Sequence, residues 1–177
     1  MNKFKQKMLC ADGLLLAVLI AIDQITKSLA AGRLKNQPSI VLIDGVLELS
    51  YLENRGAAFG ILQEQKLFFV AIACVFLAVI AYVLLKAPNK KRYIPLHLLL
   101  IVIAAGAVGN MIDRLRLNYV VDFIYFSLIN FPVFNVADIY VTLATAFLAI
   151  QVLFRYKEED FGFLGLAKKN CEKNSGE

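Results

Sequence analysis

The chain has 177 residues, of which 59% are hydrophobic and 19% are charged. Soluble domains usually contain about 45–50% apolar and about 25% charged residues, so this composition excludes a disordered chain and disfavours a soluble one. Four membrane helices of about 20 residues would use roughly 80 residues, which leaves no room for a second large soluble domain. The net charge of +5 is typical of basic cytoplasmic loops, and we expect no nucleic-acid partner.

Four long apolar runs predict an all-α membrane protein with four transmembrane helices. We place these helices at about residues 8–31, 67–85, 94–117 and 136–156. The first run follows three lysines, as in a cleaved signal peptide, but its internal charges and the three later runs favour a helix that is retained. We expect residues 1–177 to form a single integral-membrane domain, in which residues 157–177 are a solvated cytoplasmic tail.

Two connecting segments carry further structural signals. The stretch IVLIDGVLELSYLEN between helices 1 and 2 alternates in polarity and contains an Asp44-Gly45 turn, which predicts a small β-hairpin or sheet outside the cytoplasm. The segment YVVDFIYFSLINFPVFN (119–135) between helices 3 and 4 is aromatic and apolar, and Asn130 and Pro132 interrupt it. We interpret it as a loop at the membrane interface.

The distribution of basic residues predicts the orientation. Four spans place both termini on one side, and most of the 19 Lys and Arg residues lie on that side, so both termini are expected in the cytoplasm. The unusual polar residues then gather at the outer ends of the helices or in the outer loops. Because ionisable residues in a membrane are costly, they are candidates for function, and their common depth indicates one site near the outer face.

Three groups of polar or small residues could contribute to that site. On helix 1, Asp23 and Lys27 are four residues apart and form either a structural ion pair or part of the site. Asn110 and Arg114 share one stripe of helix 3, where a tight helix contact is the alternative. In ENRGAAFG (53–60), Asn54 and the small residues from Gly56 onward form either a turn or a backbone held close to an extended ligand.

Asp122 and Asp138 are the strongest candidate pair. Two carboxylates brought together near a low-dielectric boundary share one proton, and such a pair can activate water as a general base and protonate a leaving amine as a general acid. Asn135 either orients Asp138 or only caps helix 4. The alternatives are two helix-capping aspartates, a hydrated Mg²⁺ site, a proton-coupled carrier and a purely structural partner protein. His97 lies at the cytoplasmic start of helix 3, which disfavours a Ser/His/Asp or Cys/His site.

Five sequence blocks occur in the order found in lipoprotein signal peptidases, the signal peptidase II family, and the chain resembles that family. The blocks are DQITK (23–27), ENRGAAFG (53–60), GNMIDRL (109–115), VVDFI (120–124) and FNVAD (134–138). The resemblance implies four transmembrane helices with a small extracytoplasmic β-sheet between helices 1 and 2. It also implies an aspartic endopeptidase that cuts prolipoproteins just before a diacylglyceryl-modified cysteine.

The resemblance also assigns residues and partners. Asp122 and Asp138 would be catalytic, and the predicted substrate-binding residues are Asn54, Asn110, Arg114, Asn135, Asp23, Lys27 and Gly56. We expect no metal or cofactor, a lipidated prolipoprotein substrate, contact with membrane lipid, and a monomer in the bacterial cytoplasmic membrane. The aromatic loop could act as a lid over the pair. Asn118 stands where the family usually has glycine, and asparagine tolerates a left-handed backbone better than most residues.

Overall fold

The computed structural model describes residues 3–56, 65–88 and 90–165. The helices are α1 (Lys3–Leu34), α2 (Lys66–Lys86), α3 (Ile94–Leu117) and α4 (Val136–Phe154). All four are long and apolar enough to cross a membrane, which confirms the predicted fold class. The helix α1 is longer than expected at both ends, and α4 ends two residues earlier.

The helix α3 lies at the centre of the bundle and contacts each of the other three helices. Small residues permit its closest approach to α4. A Cβ atom at Gly106 would come within 2.5 Å of the carbonyl oxygen of Ala137 and within 2.7 Å of the Val141 side chain. Only glycine therefore fits at this crossing, as is common where membrane helices pack closely.

An antiparallel sheet of three strands lies at one end of the bundle. In order across the sheet the strands are β1 (Ile40–Ile43), β2 (Leu47–Asn54) and β3 (Val120–Tyr125). The β1–β2 hairpin and its turn were predicted, and Gly45 has a left-handed φ of +66° there. The third strand was not predicted, because it comes from the segment interpreted as a loop. The sheet is thus not confined to the chain between helices 1 and 2.

Packing against α1 and the end of α3 fixes the position of the sheet. Val121 and Phe123 of β3 pack against Ala30 and Leu34 of α1. The helix α3 ends at Leu117, and its C-cap residue Asn118 has a left-handed φ of +68°, so asparagine takes the conformation expected at this position. This turn sends the chain directly into β3. The end of α1, the start of α2, the end of α3 and the start of α4 therefore share the end of the bundle that carries the sheet.

The chain after α4 folds back onto the opposite end of the bundle. Glu158–Leu164 forms a 3₁₀ helix, and the ring of the buried Tyr156 stacks on that of Tyr93 with 5.9 Å between centroids. An ion pair of 2.7 Å joins Asp160 to Arg92. Phe161 and Phe163 also pack against the core of the bundle, so residues 157–164 do not form the start of a freely solvated tail as predicted. Residues 166–177 lie outside the described part of the chain.

Candidate active site

A cavity of about 800 Å³ opens between the sheet, α4 and the loop that precedes α4. Asp122 and Asp138 both line it, together with Asn54, Gly56 and Arg114. The remaining walls are mostly apolar, and they include Phe126, Ile129, Phe131, Ile139 and Leu143. The aromatic loop thus forms one wall, and its role as a movable lid stays a prediction. The cavity combines one polar wall with space for an apolar ligand.

Strand β3 places Asp122 on the cavity wall. Asp122 pairs with Leu52 of β2 and lies diagonally from Asn54 on the same face of the sheet. The amide nitrogen Nδ2 of Asn54 donates to Asp122 Oδ2 at 2.8 Å, and Nδ2 of Asn135 donates to Asp122 Oδ1 at 2.6 Å. Burial, and next the charge of Asp138, raise the pKa of Asp122 to about 6, and the two amide hydrogen bonds partly oppose this rise.

The first turn of α4 holds Asp138 through a capping box. The backbone N–H of Asn135 donates to Asp138 Oδ2 at 3.1 Å, and the N–H of Asp138 donates to Asn135 Oδ1 at 3.0 Å. In addition, Asn110 Nδ2 donates to Asp138 Oδ1 at 2.8 Å. Asn135 therefore caps the helix and orients the carboxylate at the same time, although the sequence had presented these as alternatives.

Two amides, the buried Asn135 and the partly buried Asn110, connect the carboxylates to each other. Besides its bond to Asp122, Asn135 Nδ2 donates to Asn110 Oδ1 at 3.2 Å, and Asn110 in turn binds Asp138. All four carboxylate oxygens of Asp122 and Asp138 therefore accept a hydrogen bond from nitrogen donors. Fixed donors of this kind hold both carboxylates in place beside the cavity. Such a pair can exchange a proton with a bound water or substrate.

Arg114 is one of two arginines that line the cavity, and the other is Arg55. The guanidinium of Arg114 lies over the ring of Phe69 with 4.7 Å to the centroid, and one of its nitrogens is 3.4 Å from the carbonyl oxygen of Gly56. The backbone N–H of Gly56 donates to Asn54 Oδ1 at 3.0 Å, which orients Asn54 toward Asp122. The remainder of the ENRGAAFG block, residues 57–60, lies outside the described residues.

Asp23 and Lys27 lie behind the carboxylate pair and do not line the cavity. Their exposed fractions are only 0% and 2%. Lys27 Nζ is 3.0 Å from Asp23 Oδ2 and donates to Asn110 Oδ1 at 2.8 Å. Asn110 and the fully buried Asn135 are also absent from the cavity wall. The structure brings all the predicted residues into one network, but Asp23, Lys27 and Asn135 are buried in it and only the partly exposed Asn110 keeps accessible surface.

Two further members of this network were not among the predicted site residues. Asp113 lies 3.2 Å from Lys27 Nζ, and Gln24 Nε2 donates to Asp113 Oδ1 at 3.0 Å. The sequence feature that could have identified them is their position inside the DQITK and GNMIDRL blocks, next to residues that were predicted to belong to the site. His97, by contrast, binds Asp12 at 2.7 Å near the other end of the bundle, away from the pair as expected.

A family model described as signal peptidase (SPase) II matches residues 15–154. The chain belongs to the signal peptidase II family. Among curated relatives, lipoprotein signal peptidases from Streptococcus pyogenes serotype M6 (strain ATCC BAA-946 / MGAS10394) and serotype M5 (strain Manfredo) are each 41% identical over 147 residues, covering 83% of this chain and 93% of those proteins. This signal peptidase II is accordingly a peptidase and a multi-pass bacterial membrane protein.

Solved structures support the same assignment. Two structures described as bacterial membrane enzymes, obtained by the in meso method, match with TM-scores of 0.72 and 0.71 at 30% sequence identity. They cover 84% and 82% of this chain, and 92% and 94% of theirs. The fold of this signal peptidase II is therefore one already seen in membrane enzymes.

Proposed function

We propose that this signal peptidase II is a lipoprotein signal peptidase that uses Asp122 and Asp138 as a catalytic aspartate pair. The observation that carries the proposal is the meeting of the two carboxylates, from β3 and from α4, on one cavity wall. The pKa of about 6 for Asp122 supports a pair that keeps one proton near neutral pH. The curated relatives carry the name of the same activity.

The reaction follows the logic of an aspartate pair. The ionised carboxylate takes a proton from a water molecule, and the water oxygen attacks the carbonyl carbon of the scissile peptide bond. The protonated carboxyl donates its proton to the carbonyl oxygen. When the C–N bond breaks, a proton passes to the leaving amine nitrogen. Asn54, Asn110 and Asn135 keep the carboxylates oriented through these steps, and no metal or cofactor takes part.

The cavity supports a lipidated substrate. Its apolar wall residues, which include Phe126 and Leu143, offer contact surface for acyl chains and for the hydrophobic segment of a signal peptide. We propose that the cut falls just before a diacylglyceryl-modified cysteine. Arg114 and the backbone of Gly56 lie on the polar wall, where they can bind the peptide or the lipid ester groups, so these two residues and Asn54 are the proposed substrate contacts.

The proposed enzyme acts as a monomer in the cytoplasmic membrane. One chain supplies both aspartates and the cavity walls. Both termini are proposed to lie in the cytoplasm because most basic residues lie at that end, and the site then lies near the outer face. A signal peptide crossing the membrane presents its cleavage region at that depth.

Cleavage of a diacylglyceryl-modified prolipoprotein by the purified protein in liposomes tests this function. Wild type is compared with Asp122→Asn and Asp138→Asn, and Asp44→Asn in the exposed β1–β2 turn is the matched control. We expect wild type and Asp44→Asn to cleave at equal rates, also with EDTA present, and both other variants to lose at least about 10³-fold in kcat. Cleavage by either folded variant at the wild-type rate, or equal cleavage of an unlipidated precursor, would overturn the proposal.

A further inference from the structure

We propose that Lys27, Asp23, Asp113 and Gln24 form a clamp that fixes the relative position of the aspartate pair. This inference rests on the proposed function, because it assigns a task to the pair. We call these four residues the lysine clamp. Each is a positioning group, since none lines the cavity.

The two carboxylates of the lysine clamp hold equivalent backbone positions. Asp113 Oδ2 accepts a hydrogen bond of 3.1 Å from the N–H of Val121, the residue directly before Asp122. Asp23 Oδ1 accepts one of 3.1 Å from the N–H of Ala137, the residue directly before Asp138. Each member of the pair is therefore anchored through the backbone of its preceding residue. The anchor for Asp122 is the Asp113 carboxylate near the end of α3, and the anchor for Asp138 is the Asp23 carboxylate on α1.

One ammonium group joins the two anchors. Lys27 Nζ is 3.0 Å from Asp23 Oδ2 and 3.2 Å from Asp113 Oδ2, and its third contact is Asn110 Oδ1 at 2.8 Å. The ammonium therefore makes one hydrogen bond, to Asn110, and two ion-pair contacts, to the carboxylates of Asp23 and Asp113. Asn110 binds Asp138 directly, and the two carboxylates each hold one backbone N–H. Each of the three side chains around the ammonium thus hydrogen-bonds either Asp138 itself or the backbone N–H of the residue before Asp122 or Asp138.

Gln24 doubles this link. Its Nε2 lies 3.1 Å from Asp23 Oδ2, 3.0 Å from Asp113 Oδ1 and 3.2 Å from the carbonyl oxygen of Gly109, and its two N–H groups are shared among these three acceptors. Gly109 leaves the necessary space, because a Cβ atom at that position would overlap the Asp23 carboxylate. The helices α1 and α3 are therefore locked together at the level where both support the pair.

Burial distinguishes the clamp from an ordinary ion pair. Asp23, Lys27 and Asp113 are 0%, 2% and 3% exposed, and burying charges is costly unless they are well paired. A structural pair on α1 would need only Asp23 and Lys27. The second carboxylate, with its bond to the strand that carries Asp122, adds a buried charge whose geometric effect is to fix β3 against the start of α4.

The expected consequence is a change in kcat with little change in KM. A misplacement of reacting groups by about 1 Å can cost about 10²-fold in rate, whereas the cavity that binds substrate is left intact. We expect Asp113→Ala to lower kcat about 100-fold and to leave KM within about threefold of wild type. Asp113→Asn keeps an acceptor oxygen for the N–H of Val121, so it should recover about tenfold of that loss.

The matched control is Asp12→Asn. Asp12 is an aspartate 6% exposed in the same bundle, and it binds His97 near the opposite end of α3. It should change the melting temperature but not the kcat of the folded protein. If Asp113→Ala fails to fold, Asp113→Asn and Gln24→Leu carry the same comparison.

The outcomes separate the two proposals. If Asp122→Asn or Asp138→Asn retains activity, the proposed function fails. If both are inactive but folded Asp113→Ala, or its two substitutes, keeps the kcat of wild type, the clamp is overturned and the proposed function stands. A kcat loss that Asp12→Asn reproduces at equal loss of melting temperature would also overturn the clamp.

Discussion

Replacing Asn54 by alanine should shift the pH dependence of cleavage toward higher pH. The reaction requires one protonated and one ionised carboxyl group. We take Asp122, whose pKa is raised to about 6 by burial and by the neighbouring charge of Asp138, as the carboxyl that holds the proton, so we expect activity to fall as the pH rises through this value. The hydrogen bond from Asn54 favours the ionised form of Asp122, and without it the proton is held to higher pH.

The size of the shift follows from the strength of one charge-assisted hydrogen bond. Such a bond contributes roughly 1.5–3 kcal/mol, and about 1.4 kcal/mol corresponds to one pH unit in a pKa. Loss of the 2.8 Å bond from Asn54 should therefore raise the midpoint of the basic limb by about 1 to 2 pH units. The maximal rate should fall as well, because Asp122 loses one of its two orienting donors.

The assay is kcat/KM for a lipidated precursor in liposomes, measured from pH 4 to pH 9. Asn118→Gly is the matched control, since Asn118 is an asparagine in the same outer region that binds Lys66 rather than either aspartate, and glycine accepts its left-handed backbone. We expect its profile to overlay that of wild type. A basic limb that stays in place or moves to lower pH in folded Asn54→Ala would refute the reasoning.

Two further predictions concern stability. Gly106→Ala should lower the free energy of unfolding by about 1–3 kcal/mol, because the added methyl group would overlap the backbone of Ala137. Gly32 has open space around it, so Gly32→Ala should raise the free energy of unfolding by up to about 1 kcal/mol. Equal melting temperatures of the two variants would contradict this prediction. Asp122→Asn should be about 1–2 kcal/mol more stable than wild type at pH 8. The rise of the Asp122 pKa from 3.8 to about 6 destabilises the folded wild type by roughly 3 kcal/mol when Asp122 is ionised. The amide removes this penalty but loses one accepted hydrogen bond, which contributes about 1–2 kcal/mol. This penalty exists only while Asp122 is ionised, so the advantage should shrink as the pH falls through 6 and vanish below 3.8, and melting curves that keep a constant gap would contradict it.

The four helices could be predicted from the sequence because a membrane allows few alternatives. A chain in lipid must satisfy its backbone hydrogen bonds internally, so a long apolar run becomes a helix. The β1–β2 hairpin was equally accessible through its Asp44-Gly45 turn. Strand β3 was not, because Val120 to Phe123 are all buried and the strand therefore lacks the alternation of a half-exposed one.

The segment after α4 illustrates a different failure. Its acidic start, Glu158 to Asp160, is typical of a solvated tail, yet Phe161 and Phe163 pack against the core of the bundle. The pairing of Asp160 with Arg92 joins residues 68 positions apart. The composition of a short sequence window cannot predict a contact between residues so far apart along the chain.

The candidate site was only partly readable from spacing. Depth in the membrane and the chemistry of carboxylates were enough to select Asp122 and Asp138. Spacing also predicted that Asp23 and Lys27 share a helix face, but the rotation of α1 against α3 decides whether that face meets the cavity. Asp113 was not selected for the same reason, because its contact with Val121 of β3 depends on the folded structure and not on its neighbours along the chain.

The capping box of α4 has a consequence for inhibition. Asp138 is the N3 residue of the capping box as well as facing the cavity, and its loss leaves the backbone N–H of the N-cap residue Asn135 without its side-chain acceptor. A compound that binds this carboxylate therefore contacts a residue whose substitution weakens the helix in addition to the site. Resistance should arise instead in the apolar walls, at positions such as Ile129 or Leu143, where one hydrophobic side chain can replace another at little cost.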